Sequence, residues 1–150
     1  MQVIRVVNPQ VFDVALVREF LCKVFPEGSY GVPKGYAQDE ERVKNLTKNK
    51  DYGMFLGVEE DNVVGFLLIQ APKDAEFAQL WAFHNDGSAK MRKELLDKGL
   101  EFAKNNGHLE LRAVNTSGQS DSVWARGFKR AGDWEKIGSI MRVKWDSLET

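Results

Sequence analysis

A chain of 150 residues is long enough for one domain with a single core and too short for two comfortable ones. Hydrophobic residues make up 43% and charged residues 29%, and a formal net charge of -1 excludes bulk attraction to nucleic acid or to an acidic membrane. The single cysteine, Cys22, excludes an internal disulfide, and no apolar run approaches the length of a spanning helix or a signal segment, so a cytoplasmic protein is expected.

No repeat, low-complexity stretch or Pro/Gly-rich linker divides the chain, and residues 1–150 are expected to form a single domain. The opening QVIRVV is strand-like. Asn8 and Pro9 then supply an N-cap and a proline at the first helical position. Val14, Val17, Phe20, Leu21 and Val24 recur with helical spacing, so a first helix is predicted up to Phe25-Pro26. EGSYGVPKGY (27–36), with three glycines and a proline, reads as an ordered loop, and AQDEERVKNLTKNK as a polar, weakly amphipathic helix. YGMFLGVEE and NVVGFLLIQAP are β-rich runs separated by Glu60-Asp61-Asn62, which is hairpin punctuation, and FAQLWAF follows as a third strand.

This third strand leads into FHNDGSAKMRKELL (83–96), where the alternation stops at His84-Asn85-Asp86, passes Gly87 and becomes a helix. Its first turn carries Lys90, Arg92 and Lys93. That is the positive end of the helix dipole, where cations are slightly unfavourable and anions are favoured, so one explanation is a negative ligand at this end. Met91, Leu95, Leu96, Leu100 and Ala103 share one face, and Asn105-Asn106-Gly107 forms a left-handed C-cap. HLELRAV is the next strand, SDSVWARGFKRAG a helix ending at Gly132, and IGSIMRVKW a closing strand whose edge Arg142 and Lys144 would blunt against a partner.

Strand, two helices, three strands, helix, strand, helix, strand, with a strand-glycine loop-helix at its centre, resembles the GCN5-related N-acetyltransferase (GNAT) family. Members of that family carry Arg or Gln, two residues, Gly, one residue, then Gly or Ala at the start of the central helix. Here His84-Asn85-Asp86-Gly87-Ser88-Ala89 keeps the glycine and the final small residue and changes the first position. Gly65 in NVVGFLLI is similar to a glycine of the family's third strand, and Asp121, Phe128 and Gly132 stand where Asn, Tyr and Gly are common. The resemblance implies an α/β (α+β) fold with a central mixed, mostly antiparallel sheet and helices on both faces. It also implies transfer of an acetyl group from acetyl-CoA to an amine of a small molecule or protein. Backbone N–H groups at a helix start lack internal partners and can hold a pyrophosphate if no side chain blocks the approach. By resemblance, Trp81, Ala82 and Phe83 would lie along the pantetheine arm. His84, Asn85, Gly87, Ser88, Ala89 and Lys90 would surround the pyrophosphate, although Asp86 beside it would repel.

Acetyl transfer needs a neutral amine, a polarised carbonyl and a proton for the leaving thiolate. Phe128 stands where the family commonly has a tyrosine acid, so that acid is missing. Asp121 and Ser122, at the start of the same helix, are the catalytic candidates; Ser120 and Ser122 could position a water or could cap the helix. Gln79 cannot take a proton, and Glu110 faces one side of its strand. Tyr30 and Tyr36, flanked by Gly31 and Gly35, are candidate walls of an acceptor pocket between SYGVPKGY and VNTSGQSDS. His84, His108 and Cys22 have no metal-ligand spacing, so no metal is expected. The four tryptophans are spread over strands and a helix, as core aromatics rather than a base-stacking platform. A GNAT-like domain without chemistry, serving as a binding or structural module, is the alternative, and monomer and homodimer both stay open.

Overall fold

The computed structural model describes residues 1–25, 35–115 and 119–145. Its strands are β1 (Gln2–Arg5), β2 (Tyr52–Glu59), β3 (Asn62–Gln70), β4 (Ala78–Asn85), β5 (Glu110–Val114), β6 (Glu135–Ile137) and β7 (Ile140–Lys144). Its helices are α1 (Ala15–Val24), α2 (Tyr36–Leu46), α3 (Ala89–Asn105) and α4 (Asp121–Ala131). One sheet carries all seven strands in the order β1-β2-β3-β4-β5-β7-β6. Only β4 and β5 run parallel; the other neighbours are antiparallel. Apolar side chains of α3 and α4 cover one face, and those of α1 and α2 cover the other. This is the mixed, mostly antiparallel sheet with helices on both faces that the family resemblance implied.

The β2–β3 hairpin turns at Glu60 and Asp61, both with positive φ (49° and 66°), the backbone hand that matches strand twist in a two-residue loop. Across this hairpin Gly57 pairs with Gly65, and the two missing side chains leave a hollow into which α3 sinks. A Cβ on Gly57 would lie 2.6 Å from Met91 Sδ, and one on Gly65 would lie 2.6 Å from Leu95 Cδ1. Gly53 makes the same allowance for Phe102 at the far end of α3. Glycine at these positions therefore sets how closely the helix lies on the sheet, and so where its first turn points.

The structure corrects three boundaries. The single first helix is instead a 3-10 turn, Pro9–Asp13, followed by α1 after an extended Val14. In one continuous α-helix Phe12 and Val17 would point about 140° apart; the break lets both be buried. α2 begins at Tyr36, not after it. The closing strand is a hairpin, β6 and β7, because Gly138 (φ 58°) permits a tight turn between Ile137 and Ile140. β7 is thus paired on both sides from Ile140 to Arg142 and the short β6 is the edge there, so Arg142 blunts no edge and instead meets Glu135 at 3.2 Å.

Candidate functional site

β4 contains a bulge. Leu68 of β3 pairs with Ala82 and Ile69 with Leu80, so Trp81 is an extra residue without a partner position. On its other edge β4 pairs with β5 only through Ala78, Gln79 and Leu80, opposite Leu111, Arg112 and Ala113. Beyond that point the β4–β5 pairing ends, and the β5-facing backbone groups of residues 81–85 have no strand partner among the described residues. A wedge-shaped cavity of about 470 Å³ opens there, walled by residues 80–85 of β4, by Ala113 and Val114 of β5 and by one face of α4. Of the sequence-derived cofactor residues, Trp81, Ala82, Phe83, His84 and Asn85 line this cleft. His84 lies in the strand, not in a loop.

Aromatic packing forms the floor. Phe128 is buried and its ring lies 6.0 Å from Phe83 and 4.9 Å from both Trp124 and Trp134. Phe128 also lines the cleft, so this wall presents an apolar ring and no hydroxyl. Three arginines line the cleft as well: Arg92 from α3, and Arg126 and Arg130 one turn apart on α4. Arg92 crosses α4 at Gly127, where a Cβ would come 3.4 Å from its Nε. No Asp or Glu is among the described lining residues.

The loop before α3 has largely satisfied itself. Gly87 N–H donates to Asn85 Oδ1 (3.0 Å), and Ser88 caps the helix by accepting from Met91 N–H (3.1 Å). The Ser88 N–H and hydroxyl both donate to Glu59 Oε1, at 3.2 and 2.7 Å, which holds the Glu59 carboxyl below its ordinary range. Ala89 and Lys90 keep N–H groups without such a partner among the described residues. The anion that the helix start favours is therefore supplied by the chain itself. Asp86 turns away from the loop, its Oδ1 2.7 Å from His84 Nε2, and Lys93 pairs with Asp97 at 2.9 Å.

The remaining site candidates lie elsewhere. Asp121 Oδ1 accepts from Asn115 Nδ2 (2.9 Å) and Oδ2 from Ser139 Oγ (3.1 Å), contacts that hold its carboxyl below the usual value. That carboxylate fastens the start of α4 to β5 and to the β6–β7 turn, and neither Asp121 nor the exposed Ser122 lines the cleft. The α4 cap is Ser120, which accepts from Val123 N–H at 3.3 Å. Tyr36, expected on a loop, is buried in the core beside Phe12, with its hydroxyl donating to Glu40 at 3.2 Å; burial pushes that hydroxyl well above the ordinary tyrosine range. Tyr30 lies outside the described residues, as does most of the segment with which it was to wall an acceptor pocket. His108 is also buried, with Nε2 donating to Pro72 O at 2.7 Å, a packing role. Sequence reasoning missed Glu59, Arg126 and Arg130.

Among the described residues no group of three His, Cys, Asp or Glu could hold a metal, and no helix is long and apolar enough to cross a membrane. No family model matches the sequence, and no curated protein matches it. Solved structures do match its shape. An aminoglycoside 6'-N-acetyltransferase from Enterococcus faecium superposes with a TM-score of 0.66 at 13% identity, covering 96% of this chain and 97% of that one. Ribosomal-protein-alanine N-acetyltransferase from Brucella melitensis gives 0.68 at 12%, covering 97% and 100%. A GNAT superfamily phosphinothricin acetyltransferase from Sinorhizobium meliloti, in complex with AcCoA, gives 0.61 at 14%, covering 96% and 89%. Over nearly its whole length the chain therefore superposes on GNAT acetyltransferases, and it has the GNAT fold.

Proposed function

We propose that the protein is an N-acyltransferase that takes an acetyl group from acetyl-CoA and passes it to an amine. The observation that carries this reading is the cleft where β4 leaves β5. Its unpaired backbone edge suits an extended, amide-bearing arm, and its arginines suit a donor with phosphates at the far end. Residues Trp81 to Asn85 would lie along that arm. The amine nitrogen attacks the thioester carbonyl, the C–S bond breaks, and the sulfur leaves as a thiolate that is protonated afterwards. A backbone N–H of the unpaired β4 segment polarises the carbonyl. No side-chain acid is required at Phe128, since a thiol is acidic enough to leave with protonation by water. With Asp121 committed to Asn115 and Ser139, the amine proton also leaves through water.

A second reading has its own support. Phe128 supplies no acid and Glu59 already fills part of the loop before α3, as in a module that binds a CoA-like ligand without turning it over. A thermal-shift titration with acetyl-CoA, followed by an assay for thiol release with a panel of small amines and N-terminal peptides, separates the readings. Stabilisation with amine-dependent thiol release supports the enzyme, and stabilisation without release supports the module. Absence of stabilisation at millimolar acetyl-CoA overturns both.

A further inference from the structure

We infer that the phosphates of the acyl donor are held in this chain by the side chains of Arg92, Arg126 and Arg130, and not by the loop before α3. The inference rests on the acyl-CoA reading above. Its starting point is the pairing of all eight arginines. Arg18 meets Glu40 at 3.1 Å, Arg42 meets Asp39 at 3.6 Å, Arg142 meets Glu135 at 3.2 Å, and Arg112 pairs with Glu110. Arg5 lies over the Phe102 ring at 5.2 Å. The other three have no carboxylate within ion-pairing distance among the described residues, and all three line the same cleft, where no Asp or Glu is among the described lining residues. Arg92 is a partly exposed residue and Arg126 and Arg130 are exposed, and a guanidinium's planar fork fits phosphate oxygens two at a time.

The loop, by contrast, is unsuited as it stands. A pyrophosphate placed at Ser88 would meet the Glu59 carboxylate, which occupies both the N–H and the hydroxyl there. Moving Glu59 aside would break both hydrogen bonds and leave two like charges close together. On the α3–α4 wall the donor's pyrophosphate and 3'-phosphate meet three positive charges and displace nothing.

Calorimetric affinities for acetyl-CoA and acetyl-pantetheine, measured for the wild type, Arg126→Ala/Arg130→Ala and Glu59→Gln, test the inference. Arg126 and Arg130 are exposed, so their removal leaves the core intact, which circular dichroism checks. The double variant is expected to weaken acetyl-CoA on the order of tenfold or more, and to leave acetyl-pantetheine unchanged. Glu59→Gln, which keeps an acceptor for Ser88 but no charge, is expected to leave acetyl-CoA binding as it was. Unchanged binding in the arginine variant together with tighter binding in Glu59→Gln would place the phosphates on the loop and overturn the inference. If the wild type does not bind acetyl-CoA, it is the acyl-donor reading that fails, and inorganic pyrophosphate then tests the arginines alone. Salt-sensitive pyrophosphate binding that the double variant loses supports an anion clamp for another ligand; no such binding overturns the clamp too.

Discussion

The loop that starts α3 and the wall that α3 shares with α4 are neighbours with opposite electrostatics. At the loop, Asn85, Ser88 and Glu59 use the available donors and bring in a carboxylate from 29 residues away. At the wall, arginines stand without carboxylates beside an apolar floor. The comparison teaches that a conserved shape does not carry its electrostatics with it. Here the helix start is filled by Glu59 of the same chain, while the arginines of the next wall have no carboxylate partner among the described residues.

The largest expected effect breaks both regions at once. Gly65→Val would drive side-chain atoms into Leu95 and towards His84 O, so buried Leu95 must repack against the sheet and disturb the first turns of α3. A loss of about 1–3 kcal/mol is expected in urea unfolding, with a lower midpoint and weaker acetyl-CoA binding. Ser88→Ala breaks the closed region alone. It removes the α3 cap and the hydroxyl that holds Glu59, and a loss of about 1 kcal/mol should appear in the same measurement. Gly127→Ala probes the open region gently. Its Cβ would make ordinary contact with Arg92, so the gain in helix propensity, about 0.5–1 kcal/mol, should raise the thermal midpoint without moving Arg92.

The smallest effect is in pH. Glu59 and Asp121 are held below their ordinary values of 4.5 and 3.8, Glu59 chiefly by the Ser88 hydroxyl and Asp121 chiefly by Asn115. A lowered carboxyl favours the fold when ionised, so this contribution is complete above those values and is lost as pH falls through the lower folded ones. Stability plots from neutral pH into acid should therefore flatten below about pH 4.5 in Glu59→Gln, and at slightly lower pH in Asp121→Asn. Unchanged acid limbs would show that neither carboxylate is coupled to folding.

Much of this architecture was legible. Periodicity gave the order of the long elements, and Asn106-Gly107 marked the end of α3, where Gly107 has φ 87°. The β6–β7 hairpin was not, because Gly138-Ser139 sits inside an apolar run and a tight turn leaves no polar gap. Tyr36 was misread because glycine beside it suggested a loop, while the apolar partners that bury it, such as Phe12, lie far away in sequence. Glu59 is likewise joined to Ser88 only by folding. The arginines did leave a trace: Arg92 and Arg126 have no Asp or Glu three or four residues away on either side, unlike Lys93 with Asp97. An unmatched cation on a helix is common enough that only their meeting on one wall gives it meaning.

α3 is fastened to the β2–β3 hairpin at both ends. Ser88 binds Glu59 at its start, and Asn106 Nδ2 donates to Ala71 O (3.0 Å) and Lys50 O (3.3 Å) at its finish. Strands β1 to β4 with α3 lie on one side of the β4–β5 junction, and β5 to β7 with α4 on the other. The sheet joins them through three residue pairs, Ala78, Gln79 and Leu80 opposite Leu111, Arg112 and Ala113. Widening or narrowing the wedge would bend few rungs of the sheet, and the apolar core that α3 and α4 share across the junction would resist it. Arg92 stands on one side of the junction and Arg126 and Arg130 on the other, so a polyanion that bridged them would also be a tie across it.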